Sequence, residues 1–143
     1  MVAGRARGAS WLTVLACLAV LGGCGESADG EDDTTPENPA LTLTAESDAW
    51  PSAEIRGLLS HREGCLLIGD SVAVFPAGTV WRAPEVLFND GTSVRVGTEV
   101  RMGGGSFDAD QVTADDLPIV PVDEVKECAR RTSATTFVWA RPS

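Results

Sequence analysis

The chain is poor in the residues that most catalytic and nucleic-acid sites need. Of its 143 residues only one is histidine, His61, so no histidine cluster for a metal or a relay is available. Basic residues are scarce, with 11 Lys and Arg against 21 Asp and Glu and a net charge of −10. Nucleic acid binding needs clustered cations to meet phosphates, so no nucleic acid partner is expected. The same charge disfavours electrostatic docking on anionic lipid. Long apolar runs are also missing. The longest, Trp11–Leu21, is half the length of about 20 residues that a membrane-spanning helix takes. No CxxC or CxxH spacing marks a zinc or redox site among the 4 cysteines. No cofactor is expected.

What is present begins at the amino end. Arg5 and Arg7 supply a positive front, and the apolar stretch WLTVLACLAVL follows, within the 7 to 15 residues of a secretory signal. Small residues Gly22 and Gly23 lead directly into Cys24. Leu21-Gly22-Gly23-Cys24 resembles the lipobox of bacterial lipoproteins. The resemblance covers residues 1–24 and implies that 1–23 is a signal peptide cut before Cys24, whose thiol carries a diacylglyceryl anchor. Arginine in place of lysine, with Lys126 the single exception, makes the chain similar to small actinobacterial lipoproteins. The implied location is extracytoplasmic, on the outer face of the cell membrane, with the membrane a partner through the lipid on Cys24. Once Arg5 and Arg7 leave with the signal, nine bases face all 21 acids, a net charge of about −12.

Residues 24–39 hold six acids, two prolines and no large apolar residue. Such a segment cannot bury enough surface to offset its ordering entropy, and a disordered acidic tether is expected. The remaining residues, 40–143, read as one small β-domain. With Cys17 in the signal and Cys24 lipidated, Cys65 and Cys128 form an even pair, expected to bridge in an oxidising compartment. A catalytic or metal-binding thiol is the alternative reading.

From residue 40 short β-rich runs alternate with turn residues: LTLTA, AEIRGLLS, CLLIG, VAVFP, Val80-Trp81, EVLF, SVRV and TEVRM. His61 to Gly64 reads as a turn. Asp90-Gly91 between EVLF and SVRV is the strongest hairpin signal. Gly103-Gly104-Gly105-Ser106 reads as a break, a flexible connection or bulged strand end. It lacks the Lys-Ser/Thr of a phosphate loop. PVDEVKECARRT, residues 121–132, places Val122, Val125, Cys128 and Ala129 on one helical face, with Pro121 suited to the first helical position, acids in the first turn and arginines in the last. ATTFVWA closes the chain as a strand, with Phe137 and Trp139 on one face. About seven strands and one late helix predict a mainly β fold, a small antiparallel barrel or rolled sheet of OB-like or SH3-like form, the helix covering one end. A two-sheet sandwich is the alternative. The run from GCLLIG to NDGTSVRVG resembles small secreted domains of the same bacterial group, which implies no activity.

Candidate sites are few. Asp108, Asp110, Asp115 and Asp116 supply oxygens of the kind calcium takes, although the segment lacks the glycine and terminal glutamate of an EF-hand loop. Ser60, His61 and Glu63 have the residue types of a nucleophile, base and orienter, but triad partners normally converge from distant segments. Fifteen acids in residues 40–143 permit many carboxylate pairs for glycoside chemistry, and none is singled out. Trp139 is expected in the core. Trp50 and Trp81 each neighbour a proline-containing loop, where an exposed ring near a barrel mouth would be a sugar or peptide platform; the core is the ordinary alternative. The leading expectation is a lipid-anchored binding or scaffolding module whose partner is an envelope protein, a wall glycan or a small ligand. The alternatives are a carboxylate-based envelope hydrolase and a calcium-stabilised adhesion module.

Overall fold

Apolar alternation and turn glycines build nine strands and one helix in the computed structural model, which describes residues 38–143. The signal, Cys24 and most of the tether lie outside the described residues. The strands are β1 (Leu41–Thr42), β2 (Ala53–Arg62), β3 (Cys65–Ile68), β4 (Ser71–Phe75), β5 (Val80–Arg82), β6 (Glu85–Leu87), β7 (Ser93–Arg95), β8 (Glu99–Asp108) and β9 (Thr136–Arg141), with α1 (Val122–Thr132) between the last two. Five of them, β2, β3, β4, β9 and β8, pair in that order and return to β2, closing a barrel. Pairing around the barrel is antiparallel except for β4–β9, which run parallel from Val72↔Phe137 to Val74↔Trp139. The fold is mainly β, an OB-like closed barrel with a single late helix.

The barrel strands carry two cores because their side chains alternate. One set points inward: Ile55, Leu59, Leu66, Ile68, Phe75 and Met102 are among those that fill the lumen. The opposite set on β3, β4 and β9 points outward, where Leu67, Val74, Phe137 and Trp139 pack under α1 and the segment before it. These three strands are therefore apolar on both faces, whereas the outer face of β2 and β8 alternates into water. Val122, Val125, Cys128 and Ala129 are the buried face of α1, as its periodicity predicts. Each fully buried valine or leucine contributes about 1.5–3 kcal/mol against exposure. Pro121 caps the helix from just outside it, one position earlier than expected, and Ser133 ends it in a left-handed conformation with φ 59°.

Cys65 opens β3 and Cys128 lies on the buried face of α1, and their sulfurs are bonded at 2.02 Å. Both are almost fully buried, so the bridge is a staple between helix and barrel wall.

Four expectations change. α1 does not cover an end of the barrel; it lies on the outer wall, over Leu67, Val74 and Phe137, because those strands are apolar on that face too. The β5, β6 and β7 strands are not barrel staves; they form a separate three-stranded sheet. Val86 and Phe88 reach from it into the lumen core, where Phe88 meets Phe75 edge to face. Its turn is the expected Asp-Gly one, with Gly91 at φ 84° and Phe88 N–H donating to the Thr92 carbonyl. His61 and Arg62 extend β2, leaving Glu63 and Gly64 as the turn. Most plainly, the triple glycine does not break the chain. β8 runs straight through it, paired with β2 on one side and β9 on the other. A side chain at Gly104 would put its Cβ 1.7 Å from the Trp139 carbonyl oxygen, so glycine is there for close backbone approach. Gly57 serves similarly where β2 leaves β8 for β3: a Cβ would lie 2.7 Å from Gly69 N.

Two expectations about stability follow from this packing. Gly104→Ala should lower stability by more than about 2 kcal/mol through overpacking, while Gly103→Ala, whose Cβ would meet nothing closer than 3.6 Å, should change it little. Urea unfolding of both variants checks this, and equal midpoints would contradict it. Replacing both bridged cysteines, Cys65→Ala with Cys128→Ala, opens a loop spanning a sequence separation of 63. The chain-entropy account expects a loss of about 4 kcal/mol, read from the same unfolding curves; a loss under about 1 kcal/mol would show that packing alone holds α1 down.

Candidate functional site

Side chains on adjacent strand positions point to opposite faces, which disposes of the Ser60–His61 pairing. His61 instead lays its ring against Trp81, centroids 5.6 Å apart, so both belong to the contact between the barrel and the small sheet. Trp81 is half-buried against the lumen core and is a packing residue.

Trp50 is placed differently. It stands in the link between β1 and β2, half-exposed, with its ring edge-on to Trp139 at 5.7 Å. The guanidinium carbon of Arg141 lies 5.4 Å from its ring centre, a cation–π distance. Arg141 shares a face of β9 with Phe137 and Trp139, because residues two apart point the same way. Pro76 and Ala77, just past the end of β4, give the apolar wall of a cavity of about 190 Å³ that Trp50 also lines. Glu46, Asn89 and Arg141 add its polar groups. Asn89 is held by a 2.6 Å bond from its amide to the Ala77 carbonyl. The indole N–H of Trp139, the ring that Trp50 abuts, is buried without a hydrogen-bond partner. Sequence reasoning singled out Trp50 but not Glu46, Asn89 or Arg141. Arg141 was within reach, through the alternation Phe137, Trp139, Arg141.

Of the four aspartates of residues 108–116, Asp108 and Asp116 are engaged by local turn donors. Asp108 accepts bonds from the Asp110 N–H at 2.9 Å and the Gln111 side chain at 2.8 Å. Asp116 accepts the Thr113 hydroxyl at 2.6 Å. Among the described residues no three His, Cys, Asp or Glu side chains gather as a metal-ligand set.

Three carboxylates are held below their ordinary range, each by a surface hydrogen bond first of all. Arg56 does this for Glu54, with Arg101 adding charge attraction. The Thr92 hydroxyl does it for Asp90 and Arg130 for Glu127. Such groups cap turns and ion-pair; a general acid needs the opposite shift. Among the described residues no helix is long and apolar enough to cross a membrane.

Neither a family model, nor a curated protein, nor a solved structure matches the chain. The geometry of the chain itself is therefore the basis for a functional reading.

Because Asp108 and Asp116 already accept turn donors and the described residues gather no metal-ligand set, millimolar calcium should leave the melting temperature within about 1 °C of that in chelator. Calorimetry in the two buffers checks it. A rise of several degrees, abolished by Asp108→Asn, would contradict this placement.

Proposed function

We propose that the chain is a lipid-anchored extracytoplasmic binding protein, tethered through Cys24 to the outer face of the cell membrane. Its β-domain takes a small polar ligand beside Trp50. The order of charge, apolar stretch, small residues and cysteine supports the address, and the acidic segment after Cys24 supports a tether. One observation carries the binding role: Trp50 offers a half-exposed indole at a cavity that also presents a cation, a carboxylate and an amide.

That combination suits a saccharide unit of the cell wall. A sugar stacks its C–H face on an indole and spends its hydroxyls on Arg141, Glu46 and Asn89. At about 190 Å³ the cavity lies below the usual range of about 300–1,000 Å³ for ligand pockets, which suits contact with one sugar unit at the surface rather than its enclosure. Glycoside cleavage ordinarily takes two carboxylates flanking the bond, and this cavity is lined by one, Glu46. The arrangement favours holding a ligand over cutting it.

The test uses the full chain extracted from membranes in detergent. Its intact mass should correspond to a chain beginning at Cys24 plus a diacylglyceryl group. Titration with soluble wall-glycan fragments should quench tryptophan fluorescence, and Trp50→Ala should weaken binding at least about tenfold, while Trp81→Ala leaves it unchanged. A chain without lipid would remove the address. A response that survives Trp50→Ala would remove the site.

A further inference from the structure

The cation at the Trp50 cavity stands apart from the other arginines. Arg56, Arg62, Arg95, Arg101, Arg130 and Arg131 each have a carboxylate at ion-pair distance. Arg82 and Arg141 have none among the described residues, and of these two it is Arg141 that lines the cavity. Acids outnumber bases 21 to 11 in the chain, so ion-pair partners are plentiful. Glu46 lines the same cavity, yet it lies beyond ion-pair distance of Arg141.

The ladder explains where Arg141 goes instead. Its partner across β8–β9 is Gly103. A cross-strand neighbour with a side chain would pack against the arginine or bond to it. Glycine does neither. A Cβ at Gly103 would lie 3.6 Å from the Arg141 Nε and 3.8 Å from its Cγ, so the arginine stem lies over bare backbone there. Its guanidinium reaches Trp50, with the central carbon 5.4 Å from the ring centre. The π face of the ring attracts a cation but carries no charge to neutralise it. These contacts restrict the side chain before a ligand arrives, which lowers the ordering entropy that binding must offset.

A guanidinium presents paired N–H donors that match the two oxygens of a carboxylate, and it bonds that anion more strongly than a neutral hydroxyl. Sugar hydroxyls alone would leave the charge of Arg141 unpaired. Glu46 sets the other end of the cavity. It accepts hydroxyl or amide donors and repels a second carboxylate. The two charges therefore orient a ligand, with its acid end at Arg141 and its donor end at Glu46.

We infer that the Trp50 cavity selects a sugar unit that carries a carboxylate, with Arg141 as the residue that sets this specificity. The inference rests on the saccharide reading above and names the class of saccharide. The carboxylate pairs with the guanidinium beside Trp50, the sugar ring contacts the indole, and a hydroxyl or amide N–H of the same unit reaches Glu46. Arg141 is exposed, so water and salt weaken the pair, and the preference is a several-fold change in affinity.

The experiment compares matched probes on the full chain by tryptophan fluorescence at low salt. One pair is the lactyl ether of N-acetylglucosamine and its methyl ester, and the other is methyl glucuronoside and its methyl ester. Within each pair the shape is nearly the same and the charge differs by one. At least one acid should bind about three- to tenfold more tightly than its ester, and about 0.5 M salt should bring that ratio toward one. The pair that shows it tells whether the carboxylate sits on an ether arm or on the ring. Arg141→Gln should abolish the ratio. Arg141→Lys should keep part of it, because lysine retains the charge without the fork. The acid–ester comparison is made on the unaltered chain, so folding of a variant is not at issue there. Equal binding of acid and ester, both weakened by Trp50→Ala, would leave the saccharide site standing and overturn the inference. A ratio that survives Arg141→Gln would overturn it as well. Acid binding that survives Trp50→Ala, or no response to any probe or to wall-glycan fragments, would remove the saccharide reading itself and this inference with it.

Discussion

The parallel contact between β4 and β9 is the constraint on which the rest depends. Three residue pairs, from Val72↔Phe137 to Val74↔Trp139, turn a curved sheet into a closed barrel. Closure removes the edges that would otherwise invite association. It also buries both strands on both faces, which commits them to apolar side chains of alternating destination. Ala73, Phe75, Val138 and Ala140 go to the lumen, and Val72, Val74, Phe137 and Trp139 to the layer beneath α1. β1 adds to the same arrangement by lying parallel to β4 on the edge opposite β9. The helix has a surface to cover only because that outer face is apolar, and the Cys65–Cys128 bridge holds it there.

Some of this was legible in the sequence, for reasons that are local. The helix was visible because its apolar residues recur at the helical period and its end charges match the dipole. The β6–β7 turn was visible because glycine after aspartate admits a positive φ. Cysteine parity pointed to the bridge. The strand-rich texture, the barrel class and the late helix also follow from runs of a few residues.

What was not legible depends on neighbours distant in the chain. Glycine is ordinarily a strand breaker, and nothing local announces that Gly104 faces the Trp139 carbonyl across a ladder. The departure of β5 to β7 from the barrel is likewise a matter of partners, since their composition matches that of barrel strands. Trp50 was recognisable as a large ring near a loop. Glu46 shares its link, but Asn89 and Arg141 come from two distant segments, and Asn89 arrives only because the small sheet folds back to Ala77. Ser60 and His61 show the converse, since proximity in sequence set them on opposite faces of one strand.

The end of β9 borders two cavities. Arg141 turns its guanidinium over Trp50, while Pro142 and Ser143 line the cleft between β7 and β8. Closure at β4–β9 holds both in place, and leaves Glu99 to Met102 of β8 without a strand on the β9 side. Residue-resolved amide hydrogen exchange on the full chain tests this most directly. A closed barrel with that open run on β8 requires slow exchange throughout β4 and β9. On β8 it requires an alternation, with Val100 and Met102 protected by β2 while Glu99 and Arg101 exchange quickly. Fast exchange along β9, or uniform protection from Glu99 to Met102, would contradict the closure or the open edge respectively.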